Sequence, residues 1–169
     1  MMDMFKHVLL PTDGSQHSEA AIQAGVQLAK SLNAKVTGFY AMPKFHMLTY
    51  STEMLTDTKE EFAKDCEAHA DRFLAVIVQA AKAAGVPCET ALQTSDHPYE
   101  AIIATAKERG CDLIMMASHG RRGVQAFLLG SETHKVGHPS QCGHERSYRE
   151  SFATPKSCHS EYCHVASFA

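Results

Sequence analysis

The chain has 169 residues, of which 44% are hydrophobic and 21% are charged, and its formal net charge is −3. This length and balance predict one soluble globular domain with its own core. The small negative charge argues against a nucleic-acid-binding surface, and no apolar run is long enough to span a membrane. A strand pattern starts directly after residues 1–6, so we do not interpret them as a signal peptide. We therefore expect a cytoplasmic protein whose six cysteines are free thiols.

The first part of the chain alternates between strand and helix patterns. Residues 7–12 (HVLLPT) predict the first strand, residues 19–32 a helix that ends at Asn33, and residues 35–40 the second strand. The helix carries small and apolar residues at helical spacing, namely Ala21, Gly25, Leu28 and Leu32. A long loop over residues 43–56 follows. It is consistent with a flap or an oligomer contact, or with a mobile surface loop.

A second helix pattern runs from Asp57 or Thr58 to Ala84, and Gly85 closes it. The predicted apolar face consists of Phe62, Cys66, His69, Phe73, Val76 or Ile77, and Ala80. Cys66 and His69 have the i, i+3 spacing of metal ligands, but their place on an apolar face favours core or boundary positions.

Residues 86–93 alternate as a third strand, and a loop ends at His97, which we interpret as solvated. Pro98 then opens a helix that stops at Gly110. We expect that helix to bury Ile102, Ile103 and Ala106. Cys111 lies just before the next strand and is expected to be buried.

Residues 113–117 (LIMMA) form an apolar run that is typical of a strand buried on both faces. The resulting order, β-α-β-α-β-α-β, predicts an α/β fold with a three-layer, doubly wound parallel sheet. Asp13 follows the first strand, at the edge of the sheet where such folds bind ligands. The alternative is that Asp13 and Ser15 form a turn and cap the next helix, and both roles can hold together.

The segment after the fourth strand has the features of a phosphate-binding loop. Ser118, His119, Gly120, Arg121 and Arg122 follow the strand, and Gly130-Ser131 precedes a predicted helix start at Glu132 and Thr133. Glycines let backbone N–H groups approach a phosphate, and a helix N-terminus supplies unpaired donors. No P-loop or dinucleotide fingerprint is present. A plain strand-to-helix connection with two solvated arginines therefore remains an alternative.

This segment also resembles a known signature. Ala117-Ser-His-Gly120, nine residues, then Gly130-Ser131 is similar to the nucleotide signature of the universal stress protein family: a glycine, two residues, a glycine, nine residues, and glycine followed by serine or threonine. Ala117 replaces the first glycine. The resemblance covers residues 4–136 in motif and element order. It implies a UspA-like domain with a Rossmann-like, adenine nucleotide alpha hydrolase-like fold.

The resemblance implies ATP as the ligand, in a site built from residues at the strand ends and in the glycine-bearing segment. These residues are Pro11, Thr12, Asp13, Ala41, Ala117, Ser118, His119, Gly120, Arg121, Arg122, Gly130, Ser131, Glu132 and Thr133. Thr12 and Asp13 would lie near the ribose or a metal, and the backbone of Ala41 near the adenine. If magnesium accompanies the triphosphate, phosphate oxygens and water would supply most of its ligands. We assign no protein metal ligand.

The resemblance further implies a homodimer that acts as a nucleotide-dependent regulator or interaction module in a stress response. A second hypothesis is a dimeric stress-related protein that does not bind nucleotide, which the substitution at Ala117 favours. A third is an enzyme. Hydrolysis would need a base or a group that positions water, for which Asp13 and His119 are the nearest candidates. We assign no catalytic residue and expect slow ATP hydrolysis at most.

The family pattern stops after Val136. Residues 137–169 contain no run of four β-formers, so the sequence places no final strand there, whereas the resemblance implies an apolar last strand that often pairs with its twin in the dimer. A divergent tail and a frame change near the end of the coding region both fit this switch. The tail holds Cys142, His144, Cys158, His159, Cys163 and His164. Their spacing matches no common zinc motif, and we expect a disordered or loosely docked tail.

Overall fold

A computed structural model of the protein describes residues 5–44, 59–117 and 163–167. Strands and helices alternate through these residues until the final strand. The elements are β1 (His7–Pro11), α1 (Gln16–Leu32), β2 (Lys35–Met42), α2 (Lys59–Ala84), β3 (Cys88–Thr94), α3 (Pro98–Arg109), β4 (Leu113–Ala117) and β5 (Cys163–Ser167). Residues 45–56 of the predicted 43–56 loop lie outside the described residues. None of the described helices is long and apolar enough to cross a membrane.

The strands form one sheet in the order β3-β2-β1-β4-β5, and β1 to β4 are mutually parallel. Helices α1 and α2 pack on one face of this sheet, and α3 packs on the other. The prediction of a three-layer α/β fold is therefore confirmed. All five residues of β1 are buried, because a central parallel strand is covered by helices on both sides.

Two apolar clusters fill the spaces between the sheet and its helices. The cluster on the α1 and α2 side includes Val8, Leu10, Val26, Ile77 and Met115. The cluster on the α3 side includes Leu9, Phe39, Ile102, Cys111 and Ile114. Successive residues of β1 and β4 alternate between the two clusters, as the period of two along a strand requires.

Helix α1 begins three residues earlier than the sequence pattern indicated, at Gln16, because Ser15 is its N-cap. The Ser15 hydroxyl accepts a hydrogen bond from the Ser18 amide at 3.2 Å. Asn33 ends the helix in the left-handed conformation (φ 53°), and its amide donates to the carbonyls of Ala29 and Lys30. Gly110 ends α3 in the same way, as predicted.

The predicted apolar face of α2 is partly wrong. The buried stripe consists of Ala70, Leu74, Ile77 and Ala81, whereas His69 is exposed and Cys66 is only partly buried. Ile77 was on the predicted face, and the predicted Val76 and Ala80 pack against the same core, but the stripe also passes through Ala70 and Leu74. Phe73 is half-buried and contacts the rings of Tyr40 and His69, and the side chain of Phe62 lies outside the described residues.

Strand β5 differs from the sequence expectation, which placed no strand after residue 137. Cys163–Ser167 pairs antiparallel with the whole of β4, from Leu113 opposite Ser167 to Ala117 opposite Cys163. Val165 is the one β-branched residue of this strand, so backbone pairing with the edge of β4, more than β propensity, accounts for it. The strand runs opposite to the others, and an antiparallel neighbour needs no helical crossover.

Gly38 of β2 lets α2 approach the sheet closely. A Cβ built on Gly38 would lie 2.9 Å from Cδ1 and 3.1 Å from Cγ2 of Ile77, a fully buried side chain. We expect Gly38→Ala to reduce the free energy of unfolding by about 1–3 kcal/mol through overpacking. Equilibrium denaturation of the purified variant measures this loss.

The double variant Gly38→Ala/Ile77→Val is the matched test, because valine lacks the Cδ1 atom that the new methyl group would strike. We expect it to be more stable than the sum of the two single changes, although Ile77→Val alone costs about 0.5–1.5 kcal/mol. Simple additivity of the two changes would contradict this account of the contact.

Candidate functional site

The strand order changes direction at β1. The chain proceeds from β1 to β2 and β3 on one side and then returns to place β4 on the other side of β1. In open α/β sheets, ligands bind at the carboxyl ends of the strands beside such a switch point. The switch point here lies between the carboxyl ends of β1 and β4. These ends carry Pro11 to Asp13 and Ala117.

The register of the sheet brings the strand-end residues of the predicted site to one edge. The β1–β2 pairing includes Pro11 opposite Phe39, and the Thr12 amide extends this ladder by donating to the Phe39 carbonyl at 2.9 Å. Continuing the same step brings Asp13 level with Ala41. Continuing the β1–β4 pairing of Leu9 with Ile114 brings Thr12 level with Ala117. Both alanines have small side chains, so they leave room near the backbone at this edge.

A tight turn follows β1 and is held by side-chain hydrogen bonds. The Gly14 amide donates to Oγ1 of Thr12 at 3.1 Å, and the Ser15 amide donates to Oδ1 of Asp13 at 3.0 Å. The Thr12 hydroxyl also pairs with the Ser18 hydroxyl at 3.1 Å. Asp13 is partly exposed at the mouth of this turn. The alternative of a turn followed by a helix cap is therefore observed, and it leaves the Asp13 carboxylate at the carboxyl edge of the sheet.

One aromatic ring from α2, Phe73, covers the turn, and two further rings pack against it. Phe73 packs against Gly14 so closely that a Cβ on the glycine would overlap the ring. The centroid of the Tyr40 ring lies 5.4 Å from that of Phe73 in an edge-to-face arrangement, and His69 stacks on Phe73 with centroids 6.0 Å apart. Sequence reasoning placed Phe73 on an apolar helix face but gave no sign of its contact with the turn.

The ends of β2 and β3 are also joined at the carboxyl edge. The Ser95 amide donates to the Met42 carbonyl at 2.8 Å, and the Lys44 amide donates to Oδ1 of Asp96 at 3.3 Å. Nζ of Lys44 lies 3.9 Å from the other carboxylate oxygen of Asp96. His97 is exposed, as predicted, and occupies the N-cap position of α3 without a side-chain cap.

The glycine-bearing part of the predicted site lies outside the described residues. This part comprises Ser118, His119, Gly120, Arg121, Arg122, Gly130, Ser131, Glu132 and Thr133. The described residues of the predicted site, Pro11, Thr12, Asp13, Ala41 and Ala117, lie at the carboxyl ends of β1, β2 and β4. The binding roles of all the predicted site residues stay predictions. Among the residues that the structure describes, no three His, Cys, Asp or Glu side chains lie together in a group that could hold a metal ion.

The opposite edge of the sheet carries a second polar arrangement, which sequence reasoning missed. The Asp112 carboxylate accepts hydrogen bonds from the amides of Lys6 (2.8 Å) and His7 (3.0 Å), and the Asp112 amide donates to the His7 carbonyl at 3.0 Å. These bonds join the start of β4 to the start of β1. They hold the two strands in register from the edge that faces away from the candidate site.

His7 is buried at this amino edge, with its Nε2 atom 2.7 Å from Oγ1 of Thr37. Burial is the main reason why the pKa of His7 is lowered from 6.5, and the charge of Lys35 adds to the effect. Smaller effects act to raise the pKa of His7, namely the charges of Glu89 and Asp112 and a hydrogen bond to the Arg109 backbone. The neutral imidazole is therefore the form that the folded protein favours.

Cys111 lies in the same buried region, and its position agrees with the sequence prediction. Burial, reinforced by the charge of Asp112, raises the pKa of its thiol to about 11, against smaller opposing contributions from Lys35, the Thr37 hydroxyl and Arg109. The thiol is thus protonated at neutral pH and is a poor nucleophile. Cys66, Cys88 and Cys111 are all free thiols.

Comparison with known proteins connects this architecture to one family. The model of the universal stress protein family matches residues 4–143, which extends past residue 136, where the sequence resemblance ends. The chain is 31% identical over 143 residues to universal stress protein YxiE of Bacillus subtilis, an alignment covering 82% of this chain and 96% of that protein.

Solved structures show the same fold. Universal stress protein UspA from Lactobacillus plantarum superposes with a TM-score of 0.63 at 22% identity, over 78% of this chain and 90% of that one. A universal stress protein solved in complex with cAMP superposes with a TM-score of 0.58 at 27% identity, over 79% of this chain and 90% of that one.

The lowered pKa of His7 predicts a pH dependence of stability. Between the folded-state pKa and the unfolded value of 6.5, the unfolded chain binds more protons than the folded one. The contribution of neutral His7 to the free energy of unfolding is therefore fully present above pH 6.5, and it is lost as the pH falls from 6.5 through the folded-state pKa. Each unit of pKa difference corresponds to about 1.4 kcal/mol.

Chemical denaturation at about pH 7.5 and about pH 5.5 measures this loss. His7→Gln should show a smaller difference between the two conditions than the wild type, and the exposed His97→Gln serves as the matched control with a wild-type difference. An equal difference in the His7 variant and the wild type would show that another group causes the pH dependence.

Proposed function

Because the chain belongs to the universal stress protein family, we propose that it binds an adenine nucleotide, ATP, at the carboxyl edge of β1, β2 and β4. It would act there as a nucleotide-dependent regulator or interaction module in a stress response. The observation that carries this proposal is the sheet topology: the carboxyl ends of β1, β2 and β4 meet at the switch point, and the Thr12 amide extends the β1–β2 ladder there.

The chemistry of this edge suits a nucleoside. Asp13 is partly exposed and its carboxylate can accept hydrogen bonds from ribose hydroxyls or approach a metal ion. Ala41 is the second-last residue of β2, and its side chain is only a methyl group, so the adenine can approach its backbone. The relative solved with cAMP supports an adenine nucleotide as the ligand class.

The phosphates are assigned to the segment after β4. Backbone amides of Ser118, His119 and Gly120 and of Gly130 to Thr133 would donate to phosphate oxygens, with Arg121 or Arg122 adding positive charge. If magnesium is bound, it would use phosphate oxygens and water, with Asp13 as the nearest carboxylate. A cytoplasmic homodimer is part of the same proposal.

One residue favours a second function. Ala117 stands where the resemblance has a glycine, and it is buried at the switch point. Its methyl group would reduce the space for a phosphate near the end of β4, which favours a dimeric interaction protein that does not bind nucleotide. The two functions differ in whether the purified protein binds ATP.

Calorimetric titration with ATP, with and without magnesium, tests the proposal. We expect a micromolar Kd for the wild type and about ten- to hundredfold weaker binding for Asp13→Ala, because a charged acceptor is lost. Gly130→Asp should abolish binding by placing a carboxylate beside the phosphates. Asp71→Ala, an exposed carboxylate on α2, is the matched control with unchanged affinity.

Absence of heat with ATP, together with no competition by ADP, would favour the nucleotide-free alternative. Unchanged affinity in Gly130→Asp would remove the phosphate-loop assignment while leaving nucleotide binding itself intact.

Catalysis is tested separately by steady-state release of phosphate. We expect slow turnover at most, because Asp13 is held in a turn by the Ser15 amide and serves better as a binding group than as a base. Comparing the wild type with Asp13→Ala at saturating ATP separates a catalytic effect from weakened binding. Turnover faster than about one per second would instead indicate an efficient ATPase.

A further inference from the structure

Gly14 is at the centre of the turn that presents Asp13, and its backbone conformation is unusual. Its φ angle is +73°, a region that side-chain-bearing residues rarely adopt. The ring of Phe73 fills the space where a side chain on Gly14 would lie. One side of the turn is therefore closed by an aromatic ring from α2, a helix that is distant in sequence.

The position of this ring is defined by the packing of α2. Ala70 and Ile77 are buried against the sheet, so they fix the helix about one turn before and one turn after Phe73. Tyr40 meets the ring edge to face, and His69 stacks on it with an interplanar angle of 10°. The ring has little freedom to move away from Gly14 without disturbing these neighbours.

The turn itself depends on two local hydrogen bonds. The Gly14 amide donates to Thr12, and the Ser15 amide donates to the Asp13 carboxylate, both across one intervening residue. Such short side-chain-to-backbone bonds are individually worth little and compete with water at a partly exposed site. Packing from Phe73 excludes water from one side of the turn and opposes its opening.

We infer that Phe73 is a positioning residue for the nucleotide site: by packing on Gly14 it fixes the turn that aims the Asp13 carboxylate. This inference rests on the proposed nucleotide binding at the same edge. Phe73 acts through Asp13 and need not touch the ligand. Its contribution is preorganisation, since a carboxylate that is already ordered loses less freedom when the ligand binds.

The first experiment measures ATP affinity by calorimetry in four proteins: wild type, Phe73→Ala, Phe73→Leu and Leu74→Ala. We expect Phe73→Ala to weaken binding roughly three- to tenfold, the cost of ordering one or two side chains. Phe73→Leu keeps an apolar cover over Gly14 and should restore most of the affinity. Leu74→Ala damages the same helix in its buried stripe and should leave Kd unchanged in the folded protein.

The second experiment repeats Phe73→Ala in an Asp13→Ala background. If Phe73 acts through Asp13, its removal has no further effect on Kd once the carboxylate is gone. An equal loss in both backgrounds would mean that the ring contacts the nucleotide or acts elsewhere, and it would overturn the inference. Equal losses in Leu74→Ala and Phe73→Ala would overturn it too, because the effect would then be general loss of structure.

Amide hydrogen exchange followed by NMR gives a readout that does not require a ligand. Phe73→Ala should speed the exchange of the Gly14 and Ser15 amides by about tenfold or more, while Leu74→Ala leaves their rates close to wild type once global stability is matched. Unchanged rates in Phe73→Ala would overturn the positioning role. Faster exchange in a protein that binds no ATP would support the packing role of Phe73 and reject the proposed function.

Discussion

The register of the parallel ladder around β1 is the constraint on which the rest of the structure depends. β1 pairs with β2 on one side and β4 on the other, and all of its residues are buried. A slip of one residue would exchange Leu9 and Leu10 between the two cores, which are packed by different helices. Because this slip is so unfavourable, the carboxyl end of β1 has one position relative to β2 and β4. The candidate site follows from the packing of the core beneath it.

The two edges of the sheet have different roles. At the amino edge, the Asp112 carboxylate accepts hydrogen bonds from two backbone amides at the start of β1, and the buried His7 ring is hydrogen-bonded to Thr37. These groups are satisfied within the protein, so this edge serves stability. At the carboxyl edge the turn after β1 is held by short side-chain bonds, and Asp13 is partly exposed. Polar groups at that edge are available to a ligand without leaving a buried partner unsatisfied.

Regular patterns in the sequence predicted the parallel core well. The limits of β4 and α3 were predicted to the residue, because an apolar run and a Pro-to-Gly segment mark them locally. Contacts between distant segments were not predictable, because they depend on how the elements pack together. Examples are the buried stripe of α2, the packing of Phe73 on Gly14 and the hydrogen bonds from the start of β1 to Asp112. Strand β5 was missed because its pairing comes from the edge of β4 and its own residues have weak strand propensity. In the candidate site, the strand-end positions follow from the topology, whereas the nucleotide proposed to bind there was suggested by the family resemblance.

The direction of β5 has a consequence for how this protein can be labelled. Since β5 is antiparallel to β4, it enters the sheet at Cys163, level with Ala117 at the carboxyl edge, and reaches Ser167 beside Leu113 at the far edge. A reporter joined after Ser167 therefore starts about one strand length, roughly 15 Å, from the carboxyl edge. A fluorophore inserted before Cys163 would start beside that edge. The same short strand thus offers one attachment point close to the candidate site and one suited to immobilising the protein without obstructing it.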